Sequence, residues 1–195
     1  MLGEAEKIDP RVKRTRQLLQ NAMLELVQEK PMENITVQDI AARAEVNRAT
    51  FYAHFEDKNA LMNYMVRDMF QARLEAKLSS EPTVTMDNLR LLIMTTCEFL
   101  GEFIGHCAPV RQLNEQAVMV VQVQTHLSET LQAWLHKTGT AVPVMVATTT
   151  SWAIWGTVFQ WARAGRKIPA AQLTEQILAV LQSGLYAYLS DEVRA

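Results

Sequence analysis

Residues 36 to 58 read Thr36-Val37-Gln38-Asp39-Ile40-Ala41-Ala42-Arg43-Ala44-Glu45-Val46-Asn47-Arg48-Ala49-Thr50-Phe51-Tyr52-Ala53-His54-Phe55-Glu56-Asp57-Lys58. Thr36 with Asp39 three residues on has the form of a capping box, so a short helix starts here and turns Val37, Ile40 and Ala41 inward. A break is expected at Ala44-Glu45-Val46. Asn47 then caps a second short helix that carries Phe51 and Phe55 at i, i+4. Two short helices joined by a turn of three or four residues make a helix-turn-helix.

The second of these helices is divided by its own periodicity. Arg48, Ala49, Tyr52 and Ala53 fall on one face, and Phe51 and Phe55 fall on the other, toward a core. The first face suits a DNA major groove. A guanidinium at Arg48 donates two hydrogen bonds to guanine, and Ala49 lets the backbone approach or touches a thymine methyl. Thr50, Tyr52, His54 and Lys58 are side chains that hydrogen-bond phosphates, while Thr36, Val37, Gln38 and Asn47 sit at the starts of the two helices.

Outward from this stretch the pattern is helical throughout, and no run alternates as a strand. Asp9-Pro10 reads as an N-cap followed by proline at the first helical position, opening a helix to about Gln28 that Lys30-Pro31 breaks. A long helix is expected from Lys58 to about Leu78, ended by Ser79-Ser80-Glu81-Pro82. Further helices are expected from Thr85 to about Gly105, briefly after Pro109, from about Ala117 to Lys137, from Pro143 to Arg163 and from Pro169 to about Ser190. Nine helices and no sheet make the chain all-α, with a helix-turn-helix unit at residues 8–57 and a larger helical unit at 58–195.

Composition agrees with an ordinary globular chain. Of 195 residues, 49% are apolar and 21% charged, and the formal net charge is −2, so any basic surface must be local. One is visible: Lys7, Arg11, Lys13, Arg14 and Arg16 against the single acid Asp9, an arm suited to phosphates or a groove. No secretory leader is apparent, and Cys97 and Cys107 fit a reducing compartment. No Asp, Glu, Lys or Arg lies between Lys137 and Arg163, but Pro143, Gly156, Gln160 and Thr148-Thr149-Thr150-Ser151 favour a buried helix over a membrane span.

The segment from Thr36 to Lys58, with the helix before it and Leu61 after it, resembles the DNA-binding signature of the TetR/AcrR family of bacterial transcriptional regulators. The likeness covers roughly residues 11 to 65. It implies a cytoplasmic homodimer, a palindromic operator in double-stranded DNA, and a C-terminal domain that binds a small effector. Two positions depart from the family pattern: Glu45 and Ala49 each stand where glycine is common. If residue 45 needs a positive φ, glutamate there costs roughly 1 kcal/mol.

No catalytic signature is present: no Gly-x-Ser-x-Gly elbow, no phosphate-binding Gly-Lys-Ser/Thr loop and no His-Glu-x-x-His. His106 beside Cys107 does not converge on one ligand point, so no metal and no cofactor is expected. Large apolar side chains crowd the C-terminal half. Met94, Cys97, Phe103, Met119, Gln122, His126, Thr149, Trp152 and Trp155 are the candidate lining of an effector pocket, with Gln122, Thr149 and His126 as its orienting polar groups. The last two helices carry apolar stripes interrupted by Gly156, Ala179, Ser183 and Gly184, suited to pairing with a second copy. The expected function is a ligand-responsive transcriptional regulator, a repressor released by an apolar or aromatic effector. The rival readings are a small helical enzyme using Cys or His, and a helical adaptor with a vestigial DNA-binding unit.

Overall fold

Helix α1 runs from Pro10 to Glu29, and its start explains why it forms there. The Asp9 carboxylate accepts from the Arg11 N–H at 2.8 Å, and Pro10, which has no N–H to lose, takes the first helical position. The structure is a computed structural model that describes residues 9–79, 82–106 and 113–185, with side chains described except at 103–106, 113–121 and 185. After α1 come a 3₁₀ turn at Met32–Asn34, α2 (Val37–Arg43), α3 (Arg48–Tyr52), α4 (Lys58–Glu75), α5 (Met86–His106), α6 (Leu113–Lys137), α7 (Pro143–Arg163) and α8 (Ala170–Leu185). The described residues therefore hold eight α-helices and no strand, an all-α fold. The short helix expected after Pro109, the arm residue Lys7 and Cys107 lie outside the described residues. Helix α3 is shorter than expected: Phe55 lies beyond its end, though still buried.

Two compact units emerge, Met1–Met65 and Val66–Ala195, and α4 contributes to both. In the first, α1 packs on α2 and α2 on α3 around Leu19, Met23, Ile35, Ile40, Phe51 and Leu61, all fully buried. Burial of side chains this size contributes about 1.5–3 kcal/mol each, the main force holding so short an α2 and α3 in place. In the second unit α7 packs against α5, α6 and α8, and α5 also meets α8. The uncharged run of α7 is accommodated by polar contacts: Gln124 Nε2 donates to Ser151 Oγ at 3.2 Å, and Ser151 Oγ donates to the Thr148 carbonyl at 2.9 Å. Among the described residues no helix is long and apolar enough to cross a membrane.

Three helices end in the same way, and at one of them the residue after the C-cap is not glycine. After α2, α6 and α7 a left-handed residue follows the C-cap: Glu45 at φ 56°, Gly139 at φ 68° and Gly165 at φ 85°. In each case its N–H and the next one turn back to the helix carbonyls, as Glu45 to Ala42 at 3.2 Å and Val46 to Ala41 at 2.9 Å. Two of the three positions are glycine, and the third, in the helix-turn-helix, is an exposed glutamate. Glu45→Gly should therefore raise the stability of the first unit by about 1 kcal/mol, offset only in part by the freer unfolded chain. Chemical denaturation of the two proteins checks this, and an unchanged or lower midpoint would show that the Glu45 side chain carries a compensating contact.

Candidate nucleic-acid interface

The two helix starts are fixed by side chains next to them in sequence. Thr36 Oγ1 accepts from the Asp39 N–H at 3.1 Å and donates to Asp39 Oδ2 at 2.8 Å, and the Thr36 N–H donates to the same carboxylate at 2.8 Å. Lys30 Nζ reaches Asp39 Oδ2 at 2.8 Å, tying the end of α1 to the start of α2. These donors hold the Asp39 carboxyl at about 2, the Lys30 ammonium first and then the Thr36 backbone and hydroxyl. Asn47 Oδ1 accepts from the Thr50 N–H at 2.7 Å and from the Thr50 hydroxyl at 3.0 Å, which sets the start of α3.

Because the folded pKa of Asp39 is depressed, its contribution to stability is present above the ordinary value of 3.8 and is lost as pH falls through about 2. Asp39→Asn should be less stable than the parent near neutrality and should show a shallower decline between pH 4 and 2. Parallel acid titrations of the two proteins by circular dichroism would contradict this if their declines matched.

The surface of α3 is presented as its periodicity requires. Asn47, Arg48, Ala49, Tyr52 and Ala53 are exposed, Thr50 and His54 are half-buried, and Phe51 is fully buried. On α2, Thr36 and Gln38 are exposed, whereas Val37 packs partly into the core. Burial first, and the Arg16 cation second, hold the His54 imidazole below its ordinary range.

The cations of this unit sort into two groups. Arg43 grips Glu29 bidentately at 2.9 and 2.8 Å and Glu25 at 3.0 Å, bracing α2 on α1. Arg16, expected in the phosphate-binding arm, instead lies over the rings of Tyr64 and Phe55, 5.2 and 5.9 Å from their centroids. Lys58, also expected at phosphate, is likewise engaged within the unit. Its ammonium donates to the carbonyls of Met32, Glu33 and Ile35 at 2.8, 3.1 and 2.8 Å, which occupies all three of its N–H donors. Arg11, Lys13, Arg14 and Arg48 form the other group, and among the described residues none has a carboxylate partner. The first three line the opening turns of α1.

The candidate effector pocket is only partly assembled. Cys97, His126 and Trp155 are buried in the second unit, and Met94 and Gln122 are half-buried. Thr149 and Trp152 are exposed on the outer face of α7, Trp152 at 51%, so neither lines an interior cavity. The side chains of Phe103 and Met119 lie outside the described residues. His126 stands edge-on to Phe70 at 5.7 Å with its Nδ1 3.8 Å from the Glu129 carboxylate, and burial holds the imidazole below its ordinary range. Burial pushes the Cys97 thiol up to about 11, so it keeps its proton at neutral pH. Among the described residues no three His, Cys, Asp or Glu side chains could hold a metal ion together.

Residues 19–65 match the model of the tetR family of bacterial regulatory proteins. The likeness is to the DNA-binding segment of that family and is confined to those residues of the 195. The matched segment holds the second half of α1, α2, the strained turn, α3 and the first turns of α4. The chain is 44% identical over 69 residues to an uncharacterized HTH-type transcriptional regulator, YxbF, of Bacillus subtilis, covering 33% of this chain and 18% of that protein. It is 28% identical over 118 residues to the HTH-type transcriptional regulator EthR of Mycobacterium tuberculosis, covering 60% of this chain and 55% of that one. It thus spans about half or less of the length of these curated relatives. A TetR transcriptional regulator from Streptococcus agalactiae has the same fold, with a TM-score of 0.57, 20% identity and coverage of 91% and 99% of the two chains. A FadR regulator from Bacillus subtilis, solved with stearoyl-CoA, superposes with a TM-score of 0.56 at 20% identity over 86% and 98%.

Proposed function

We propose that this chain is a DNA-binding transcriptional regulator of the bacterial cytoplasm, acting as a homodimeric repressor. Residues 8–57 read a palindromic operator, and residues 58–195 dimerise and sense a small molecule. The observation that carries the reading is the exposed face of α3, where Ala49 and Tyr52 flank an Arg48 guanidinium that has no carboxylate partner among the described residues. Arg11, Lys13 and Arg14 on α1 supply the phosphate-seeking charge. Arg48 takes the base-reading role, and Gln38, Asn47, Thr50, Tyr52 and His54 the flanking contacts.

Dimerisation is assigned to α7 and α8. Val144, Met145 and Trp152 on α7 and Val180 on α8 are large apolar groups left in the open, Val180 at 73% exposure. Gly156 and Gly184 are exposed on the same helices and would let a second copy approach closely. An effector with an apolar or aromatic body would bias the dimer between conformations whose recognition helices do and do not match successive major grooves. The acyl chain of the stearoyl-CoA held by the FadR neighbour has that chemistry.

The test is selection from random duplexes. An inverted repeat should emerge, its half-sites about 34–36 Å apart or a multiple of that, with affinity falling steeply as salt rises. Selection of no sequence, or affinity indifferent to salt, would overturn the reading. Sedimentation at micromolar concentration should give twice the chain mass, and Trp152→Glu should move it toward the monomer.

A further inference from the structure

Helix α3 has five residues, and Arg48 at its first position is the sole cation among them. A guanidinium at the end of so long a side chain reads a base edge well only if its direction is set before contact. At Arg43 the guanidinium direction is set by two carboxylates, Glu25 and Glu29. Among the described residues Arg48 has no such partner. Its Cζ lies instead 6.0 Å from the ring centroid of Tyr52, one helical turn on.

The Tyr52 ring is a fixed platform although half of it is exposed. It stands edge-on to Phe51, with centroids 5.6 Å apart and planes at 86°. Phe51 is fully buried and also touches Phe55, their centroids 6.1 Å apart. A row of rings therefore runs from the core of the unit out to the one guanidinium on the recognition face. A phosphate contact would need only the Tyr52 hydroxyl. The stack under Arg48 uses the ring.

We propose that Tyr52 is a positioning residue for base reading, its ring aiming the Arg48 guanidinium at a guanine edge. This rests on the reading of α3 as the DNA-recognition helix. The hydroxyl is dispensable for this role and the aromatic face is not. Loss of the ring therefore acts on sequence preference at the base pair that Arg48 reads, and on no other.

The experiment uses the full chain and the duplex selected above, together with duplexes changed at each base pair in turn. Arg48→Ala should lower discrimination at one base pair per half-site by about 10–100-fold. Tyr52→Ala and Tyr52→Leu should each lose about tenfold at that same base pair, and Tyr52→Phe should keep it. Arg48→Ala combined with Tyr52→Ala should discriminate there no worse than Arg48→Ala alone, because the two side chains act as one unit. If Tyr52→Ala and Tyr52→Leu weaken every duplex equally with discrimination intact, Tyr52 is a phosphate contact and the proposal is overturned. Loss of discrimination in Tyr52→Phe would overturn it too, by assigning the effect to the hydroxyl. A parent that selects DNA while Arg48→Ala changes no preference overturns the positioning role alone. A parent that selects no DNA overturns the DNA-reading assignment itself.

Discussion

Phe51→Ala is expected to destabilise the first unit by about 3–5 kcal/mol and to abolish sequence-specific DNA binding. Among the described residues Phe51 is one of the largest fully buried side chains, and it sits in the shortest α-helix. It contacts Phe55 at 6.1 Å and Tyr52 at 5.6 Å between centroids. Truncation removes the transfer energy of the ring and leaves a cavity that a five-residue helix, too short to persist without tertiary contact, cannot close without moving. The loss is a large part of the 5–15 kcal/mol that holds an ordinary domain together. Phe51→Leu keeps most of the volume and should cost far less. Amide hydrogen exchange over residues 10–65 is the appropriate measurement, because it reads this unit separately from the rest. Exchange in Phe51→Ala that matched the parent within 1 kcal/mol would mean that α3 is held by something other than its aromatic core.

What the sequence made legible follows the range of the interactions. Thr36 with Asp39 and Asn47 with Thr50 are bonds between residues three apart, and the residue types alone locate both helix starts. The left-handed Glu45 was open to reading because the signature that the segment resembles commonly has glycine there, and residue 45 has φ 56°. Contacts between distant residues were not legible. Arg43 and Glu25, Lys58 and Met32, and Arg16 and Tyr64 join residues 18 or more positions apart, and nothing in the local pattern separates a cation that braces a helix from one that faces a phosphate.

The exposure of Trp152 and Thr149 was not legible for a different reason. Helix α7 is apolar around most of its circumference, so its periodicity does not say which tryptophan faces in. Trp155 is buried against α7's neighbours and stacks on Phe159 at 5.6 Å, while Trp152, three residues earlier, is half-exposed. Thr149 falls on the same outer side. A surface that pairs with a second copy and a core that packs within the chain use the same side chains, and sequence periodicity does not distinguish the two.

Lys58→Ala is expected to lower the stability of the first unit by about 2 kcal/mol and to leave the salt dependence of DNA binding nearly unchanged. Its ammonium holds the carbonyls at both ends of the turn between α1 and α2, Met32 at 2.8 Å and Ile35 at 2.8 Å, with Glu33 at 3.1 Å. Hydrogen bonds from a charged donor contribute about 1.5–3 kcal/mol each, but three on one partly exposed ammonium do not add. Lys58→Met keeps the aliphatic stem and removes the donors, so a similar loss in both variants assigns the effect to the ammonium. The salt slope decides between this brace and a phosphate contact. Each phosphate neutralised adds about 0.9 to the slope of log affinity against log salt. Lys13→Ala and Arg14→Ala should therefore each flatten it by nearly one, at little cost in stability, since both side chains are exposed. A Lys58→Met protein as stable as the parent, with a slope lower by about 0.9, would restore Lys58 to the DNA surface and leave the Met32–Ile35 carbonyls to water.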